Sequence, residues 1–206
     1  MLSSRMKNKA SNAVHGWSDI DATVIYFDLY PPLFLLTDLG FDTRRLHTWY
    51  LQSSAGATKK ADGTLALIDG TGVFAYWAGG ENAIAKAISF ISSYANMIRR
   101  ESRGELNRSG VEVPAEVYVE IHAGIAYGQI SVLTIPIEGY RQPPIMGNVV
   151  NLASRLKEVN RAYSTKVIIS ETIKGNLEES AMVRELDSIR VLGKTEPMTI
   201  YELLDS

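Results

Sequence analysis

Apolar residues cluster along the chain with two different periods, and the change of period marks the elements. Ala22-Thr23-Val24-Ile25-Tyr26-Phe27 is a β-branched and aromatic run that predicts a buried strand ending at Asp28. Pro31-Pro32 breaks it, and after a mixed segment Asp42-Thr43-Arg44-Arg45-Leu46 predicts a helix start extending to about Thr58. Two short apolar runs, 64–68 and 72–77, flank Asp69-Gly70-Thr71-Gly72, a local hairpin signal. Over 81–101, Ile84, Ala87, Ile88, Ile91, Tyr94, Ala95 and Ile98 recur at helical spacing and predict an amphipathic helix. Residues 101–115 read as a polar loop. Strands are expected over 117–123 and 125–134, broken by Gly124 and Gly128. A helix opens near Asn148, a good N-cap type, and runs through Asn160 with Leu152, Leu156 and Val159 as its core stripe. A strand (166–170), a short helix (171–177) and a strand pair (188–192 and 198–204) complete the pattern. Residues 1–18 carry no such periodicity, so a tail over 1–18 and one domain over 19–206 are expected.

This order predicts an α+β domain with a mainly antiparallel sheet and helices on one face. A ferredoxin-like βαββαβ core fits it best. Composition narrows the chemistry. At 206 residues and 46% hydrophobic, the chain can bury one substantial core. Lys and Arg total 21 against 23 Asp and Glu, a formal charge of −2, which argues against a nucleic-acid partner. The absence of cysteine excludes a disulfide scaffold, a thiolate zinc site and a cysteine nucleophile. The three histidines, His15, His47 and His122, lack metal-ligand spacing. Leu33-Phe34-Leu35-Leu36 is far too short to span a bilayer and no signal-peptide core is seen, so no membrane association and a cytoplasmic location are expected.

Two constellations remain. Asp28 ends an apolar strand and Asp69 lies in the hairpin; carboxylates at adjacent strand ends can share a divalent cation and a polyphosphate. Each taken singly also suits a solvated turn. Asn151 and Arg155 stand at i and i+4, where an amide and a guanidinium can hold a sugar and neutralise phosphoryl charge. A surface pair with no role has the same spacing. Tyr76-Trp77 reads as packing. Tyr26 and Tyr30 flank Asp28 and suit either the core or a pocket wall.

Asp28-Leu29-Tyr30, Gly70-Thr71-Gly72-Val73-Phe74-Ala75, Ile121-His122-Ala123-Gly124, Gly147-Asn148-Val149-Val150-Asn151-Leu152-Ala153-Ser154-Arg155 and Gly193-Lys194-Thr195-Glu196-Pro197 stand in this order. Together, over roughly residues 20–204, they resemble the catalytic domain of class III nucleotidyl cyclases, the adenylate and guanylate cyclases. The resemblance implies that a nucleoside triphosphate closes on itself: its ribose 3′-hydroxyl attacks the α-phosphorus, giving a 3′,5′-cyclic nucleotide and pyrophosphate. It also implies Mg²⁺ or Mn²⁺ as cofactor and a head-to-tail homodimer with interfacial active sites. By position, Asp28 and the Leu29 carbonyl would hold metal, Asn151 would orient the ribose and Arg155 would stabilise charge at the α-phosphate. His122 falls in a segment that is structural in the family.

Four departures shape the expected substrate. Thr71 occupies the position of the second metal aspartate, and a register change in the hairpin would bring Asp69 to the metal instead. Pro31-Pro32 replace residues whose amides cradle phosphates, with Lys194 or Arg141 as electrostatic substitutes. Leu192 stands where the family often places a lysine. Leu67 and Pro144 occupy the base-reading positions, and neither side chain can form the hydrogen bonds that read a purine edge. One reading is therefore a pyrimidine cyclase using UTP or CTP, similar to the short stand-alone cyclases of bacterial anti-phage defence, whose product drives a separate effector. The alternative is a catalytically inactive pseudo-cyclase that binds nucleotide or dimerises. A polymerase-like palm would need paired acidic residues and a basic, aromatic patch, which the sequence lacks.

Overall fold

The computed structural model describes residues 16–108, 112–135, 144–178, 181–190 and 197–204. Its central element is β1 (Trp17–Tyr30), flanked antiparallel by β3 (Gly72–Ala78) and β4 (Glu120–Leu133). The strand begins at Trp17, paired with Leu133, so Trp17 and Ser18 belong to the sheet and not to a tail. After Pro32, a short α1 (Leu33–Asp38) occupies the segment that showed no clear pattern. In α2 (Thr43–Lys60) the Asp42 carboxylate caps the first turn, accepting from the Arg44 N–H at 3.2 Å. The predicted hairpin is β2 (Thr64–Asp69) with β3, and α3 (Glu81–Asn107) follows.

Strand order β2-β3-β1-β4 with antiparallel neighbours, and α2 and α3 packed on one face, is the expected ferredoxin-like core. Period-two alternation along β1 sends Ile25, Phe27 and Leu29 into that face, where they meet Leu46, Tyr50, Ile84, Phe90 and Tyr94. Phe27 lies edge-on to Phe90 and to Tyr94, each with ring centroids 5.7 Å away.

Beyond this core come β5 (Ile145–Met146), α4 (Asn148–Tyr163), β6 (Val167–Ser170), α5 (Glu171–Lys174), β7 (Val183–Ile189) and β8 (Met198–Leu203). They extend the sheet as β4-β6-β8-β7, with β6 parallel to β4 and β5 paired to the far end of β4. Here the expectation of helices on one face fails. Val149, Leu152, Ala153 and Leu156 of α4 pack on Ala22, Val24, Ala126 and Ile130, covering the opposite face.

Two further boundaries differ from expectation for physical reasons. α3 runs on to Asn107 because Ser102 and Leu106 prolong its buried stripe through the segment read as a polar loop. Gly124 does not break β4. A Cβ there would stand 2.1 Å from the Ala153 carbonyl oxygen and 2.4 Å from the Lys157 nitrogen, so the glycine lets the backbone of α4 press onto the strand.

Candidate active site

The alternation that buries Phe27 and Leu29 on one face turns Tyr26, Asp28 and Tyr30 toward the α4 side. Asp28 lies opposite His122 in the register of β1 and β4. Its Oδ1 accepts from the backbone N–H of Leu29 at 2.7 Å, and its Oδ2 accepts from Lys157 Nζ at 2.8 Å. The Asp28 and Lys157 side chains are 19% and 20% exposed, so the ion pair is largely withdrawn from water. A cavity of about 210 Å³ opens beside it, lined by Asp28, Tyr30, Pro32, His122, Lys157 and Arg161.

His122 is a packed residue, as its segment suggested. Its ring stacks on Tyr30 with centroids 4.3 Å apart and planes 7° from parallel. Nε2 lies 3.3 Å from Glu120, whose other oxygen meets Lys166 Nζ at 3.2 Å. Burial works against the charged form of Glu120, but the His122 hydrogen bond and the Lys166 ammonium outweigh it and hold the carboxyl below its ordinary range.

Tyr26 forms the wall between Asp28 and the hairpin. Its ring stacks on Phe74 at 4.1 Å, and Lys157 Nζ lies 5.4 Å from the ring centroid. The hydroxyl lies over Gly72, where a Cβ would come within 2.2 Å of it. Burial raises the phenol's pKa, and the negative charges of Asp28, Asp69 and Glu158 raise it further. Asp69 is exposed at the end of β2, opposite Gly72, and Thr71 is half-buried in the turn. Asp28 and Asp69 therefore both bear on one tyrosine. Among the described residues no three His, Asp or Glu side chains gather as a metal centre would.

The donor set suits one divalent cation better than two. Asp28 offers a carboxylate at a strand end and Leu29 the adjoining carbonyl; magnesium completes such a shell with water and phosphate oxygens. For a second cation the hairpin offers the neutral Thr71 hydroxyl in its turn and the exposed Asp69 carboxylate at the end of β2. Leu67, 46% exposed, follows a register shift in β2, and the Pro144 carbonyl accepts from the Leu133 N–H at 3.1 Å. Arg141, Leu192 and Lys194 lie outside the described residues.

Asn151 is exposed and Arg155 half-buried on α4. At about 100° per residue, Arg155 points roughly 160° and Asn151 roughly 120° around the helix from Lys157. One flank of α4 thus serves Asp28 of the same chain, while the amide and guanidinium leave from the other. The structure joins Asp28, Tyr26 and Lys157; it does not bring Asn151 or Arg155 to Asp28 within one chain. Lys157 escaped the sequence reading, although its position four residues after Ala153 marks the edge of the buried stripe.

No family model matches the chain. It is similar to the terminal-differentiation specific adenylate cyclase of Dictyostelium discoideum, 33% identical over 91 residues, which cover 42% of this chain and 4% of that protein. The adenylyl cyclase CyaB from P. aeruginosa superposes with a TM-score of 0.76 at 24% identity, covering 92% of this chain and 96% of that chain. The guanylyl cyclase Cya2 does so with a TM-score of 0.73 at 19% identity, covering 91% and 93%. The fold is that of class III cyclase catalytic domains. The chain spans between 4% and 21% of the length of the curated adenylate cyclases it matches, and among the described residues no helix is long and apolar enough to cross a membrane.

Proposed function

We propose that this chain is a nucleotide cyclase that forms its active sites between two copies of itself and acts on a pyrimidine nucleoside triphosphate, UTP or CTP. The observation that carries the reading is the division of labour on α4. Asp28 is met by one flank of its own helix, and helix geometry turns the Asn151–Arg155 pair to the other, from which it would serve a second copy. A head-to-tail pair of chains satisfies both ends at once.

In such a site Asp28 and the Leu29 carbonyl would hold Mg²⁺ or Mn²⁺, which when bound supplies charge neutralisation on the triphosphate. The Asn151 amide of the second copy holds the ribose so that its 3′-oxygen faces the α-phosphorus. The 3′-oxygen–phosphorus bond forms as the bond to the leaving pyrophosphate breaks, the 3′-hydroxyl proton passes to water, and the Arg155 guanidinium neutralises charge growing on the α-phosphate oxygens. Leu67 and Pro144 support a pyrimidine because neither side chain can donate to or accept from a purine edge. The cyclic product would act on a separate cyclic-nucleotide-responsive effector, the arrangement of the anti-phage cyclases to which the pyrimidine reading likens the chain.

The test is incubation of the purified protein with each of the four ribonucleoside triphosphates, with Mg²⁺ and with Mn²⁺, and resolution of the products. One dominant pyrimidine 3′,5′-cyclic nucleotide is expected. A purine product would overturn the base assignment, and silence with every nucleotide and both cations would assign the inactive pseudo-cyclase reading instead.

A further inference from the structure

Lys157 has no part in the reaction as set out above, yet it stands at the centre of the site. Its ammonium is 2.8 Å from the carboxylate that has to receive the cation, and both side chains are about four-fifths withdrawn from solvent. The same nitrogen lies 5.4 Å from the Tyr26 ring centroid, and Arg161, one helical turn further on, borders the same cavity. Against that positive charge the cavity sets the carboxylates of Asp28 and Glu158, and Pro32 lines it without an N–H. Outside the cavity, the hairpin holds the neutral Thr71 in its turn and the exposed Asp69 at the end of β2. A lysine is a compact charge on a flexible four-carbon stem, able to move from a carboxylate to a phosphate a few ångströms away.

We infer that Lys157 supplies the second positive charge of the active site. In the empty protein it is the counter-ion of Asp28; when one divalent cation takes Asp28, it turns onto the terminal phosphates of the bound triphosphate. The inference rests on the cyclase reading and deepens it. It makes cation and triphosphate binding mutually dependent, because each removes the partner that keeps the other out. An empty site resists the bare cation, since Asp28 is already neutralised.

The experiment compares the native protein with Lys157→Gln and Lys157→Arg. Mn²⁺ binding is followed by electron paramagnetic resonance without nucleotide. Calorimetry follows α,β-methylene UTP, α,β-methylene CTP and α,β-methylene ATP, first in EDTA and then with Mn²⁺. Lys157→Gln is expected to bind Mn²⁺ about tenfold more tightly without nucleotide and the analogues in EDTA about tenfold more weakly. Lys157→Arg should behave like the native protein, and the native protein with analogue should hold one Mn²⁺ per chain. Unchanged Mn²⁺ and analogue affinities in Lys157→Gln, or two Mn²⁺ per chain in the native protein, would overturn the inference while leaving the cyclase reading intact. Failure of the native protein to bind any of the three analogues even with Mn²⁺ would overturn the cyclase reading and the phosphate role of Lys157 together.

Discussion

The two faces of the central sheet are built from the same strands and do different work. Toward α2 and α3, β1 presents Ile25, Phe27 and Leu29 to a thick layer of Tyr50, Phe90 and Tyr94. Toward α4 the neighbouring positions are Ala22 and Val24, then Tyr26 and Asp28, against the small Ala126 and Ala153. The first face is apolar to its end and holds the fold together. The second becomes polar as it nears the end of the strand, and its small residues let α4 come close enough for Lys157 to reach Asp28. Stability and chemistry are thus separated by the thickness of one strand, and adjacent residues of β1 should report on different properties.

The sharpest way to break that separation is a pair of neighbouring substitutions. Phe27→Ala should cost about 3–5 kcal/mol of stability, read from denaturant unfolding, because it empties a fully buried ring position. Asp28→Asn, one residue on, should cost far less stability and abolish turnover; equal destabilisation by the two would refute the division. On the outer flank of α4, Arg155→Ala should lower turnover by about 10²–10³-fold. Its stability should stay within about 0.5 kcal/mol of the native protein. Gly124→Ala sharpens the comparison from the backbone side. Its Cβ would meet the Ala153 carbonyl oxygen at 2.1 Å, so α4 must move; a cost of about 1–3 kcal/mol is expected together with weakened activity.

The smallest effect concerns acid stability. The Glu120 carboxyl is held below its ordinary range in the folded chain, so its contribution is present above the unfolded value and is lost as pH falls through the folded one. Melting temperatures of the native protein and Glu120→Gln should therefore differ near about pH 7 and converge toward about pH 3. A difference independent of pH would mean that Glu120 acts by packing.

How much of this was legible in the sequence depends on the range of the interaction. The β-branched run of β1, the Asp-Gly hairpin and the cap of α2 at Asp42 are local signals, and their elements fall within a few residues of expectation. The i, i+4 spacing of Asn151 and Arg155 is local too. The side of the sheet that α4 covers is not, because its amphipathic stripe fits either face equally well. The Asp28–Lys157 pair joins positions 129 residues apart, and no periodicity foretells which lysine at the edge of a stripe will meet which strand end. Gly124 misled for a related reason: a glycine inside a strand reads as a break until the helix that needs its missing Cβ is in place.

The central claim is that Asp28 of one copy works with Asn151 and Arg155 of another. It is tested most directly by mixing two inactive proteins, Asp28→Ala and Arg155→Ala, after unfolding and co-refolding them in equal amounts. Each dimer of unlike chains would contain one intact site, so the mixture should regain about a quarter of native turnover although each protein alone keeps about a hundredth or less. A mixture that forms the mixed dimer and remains inactive would contradict the claim.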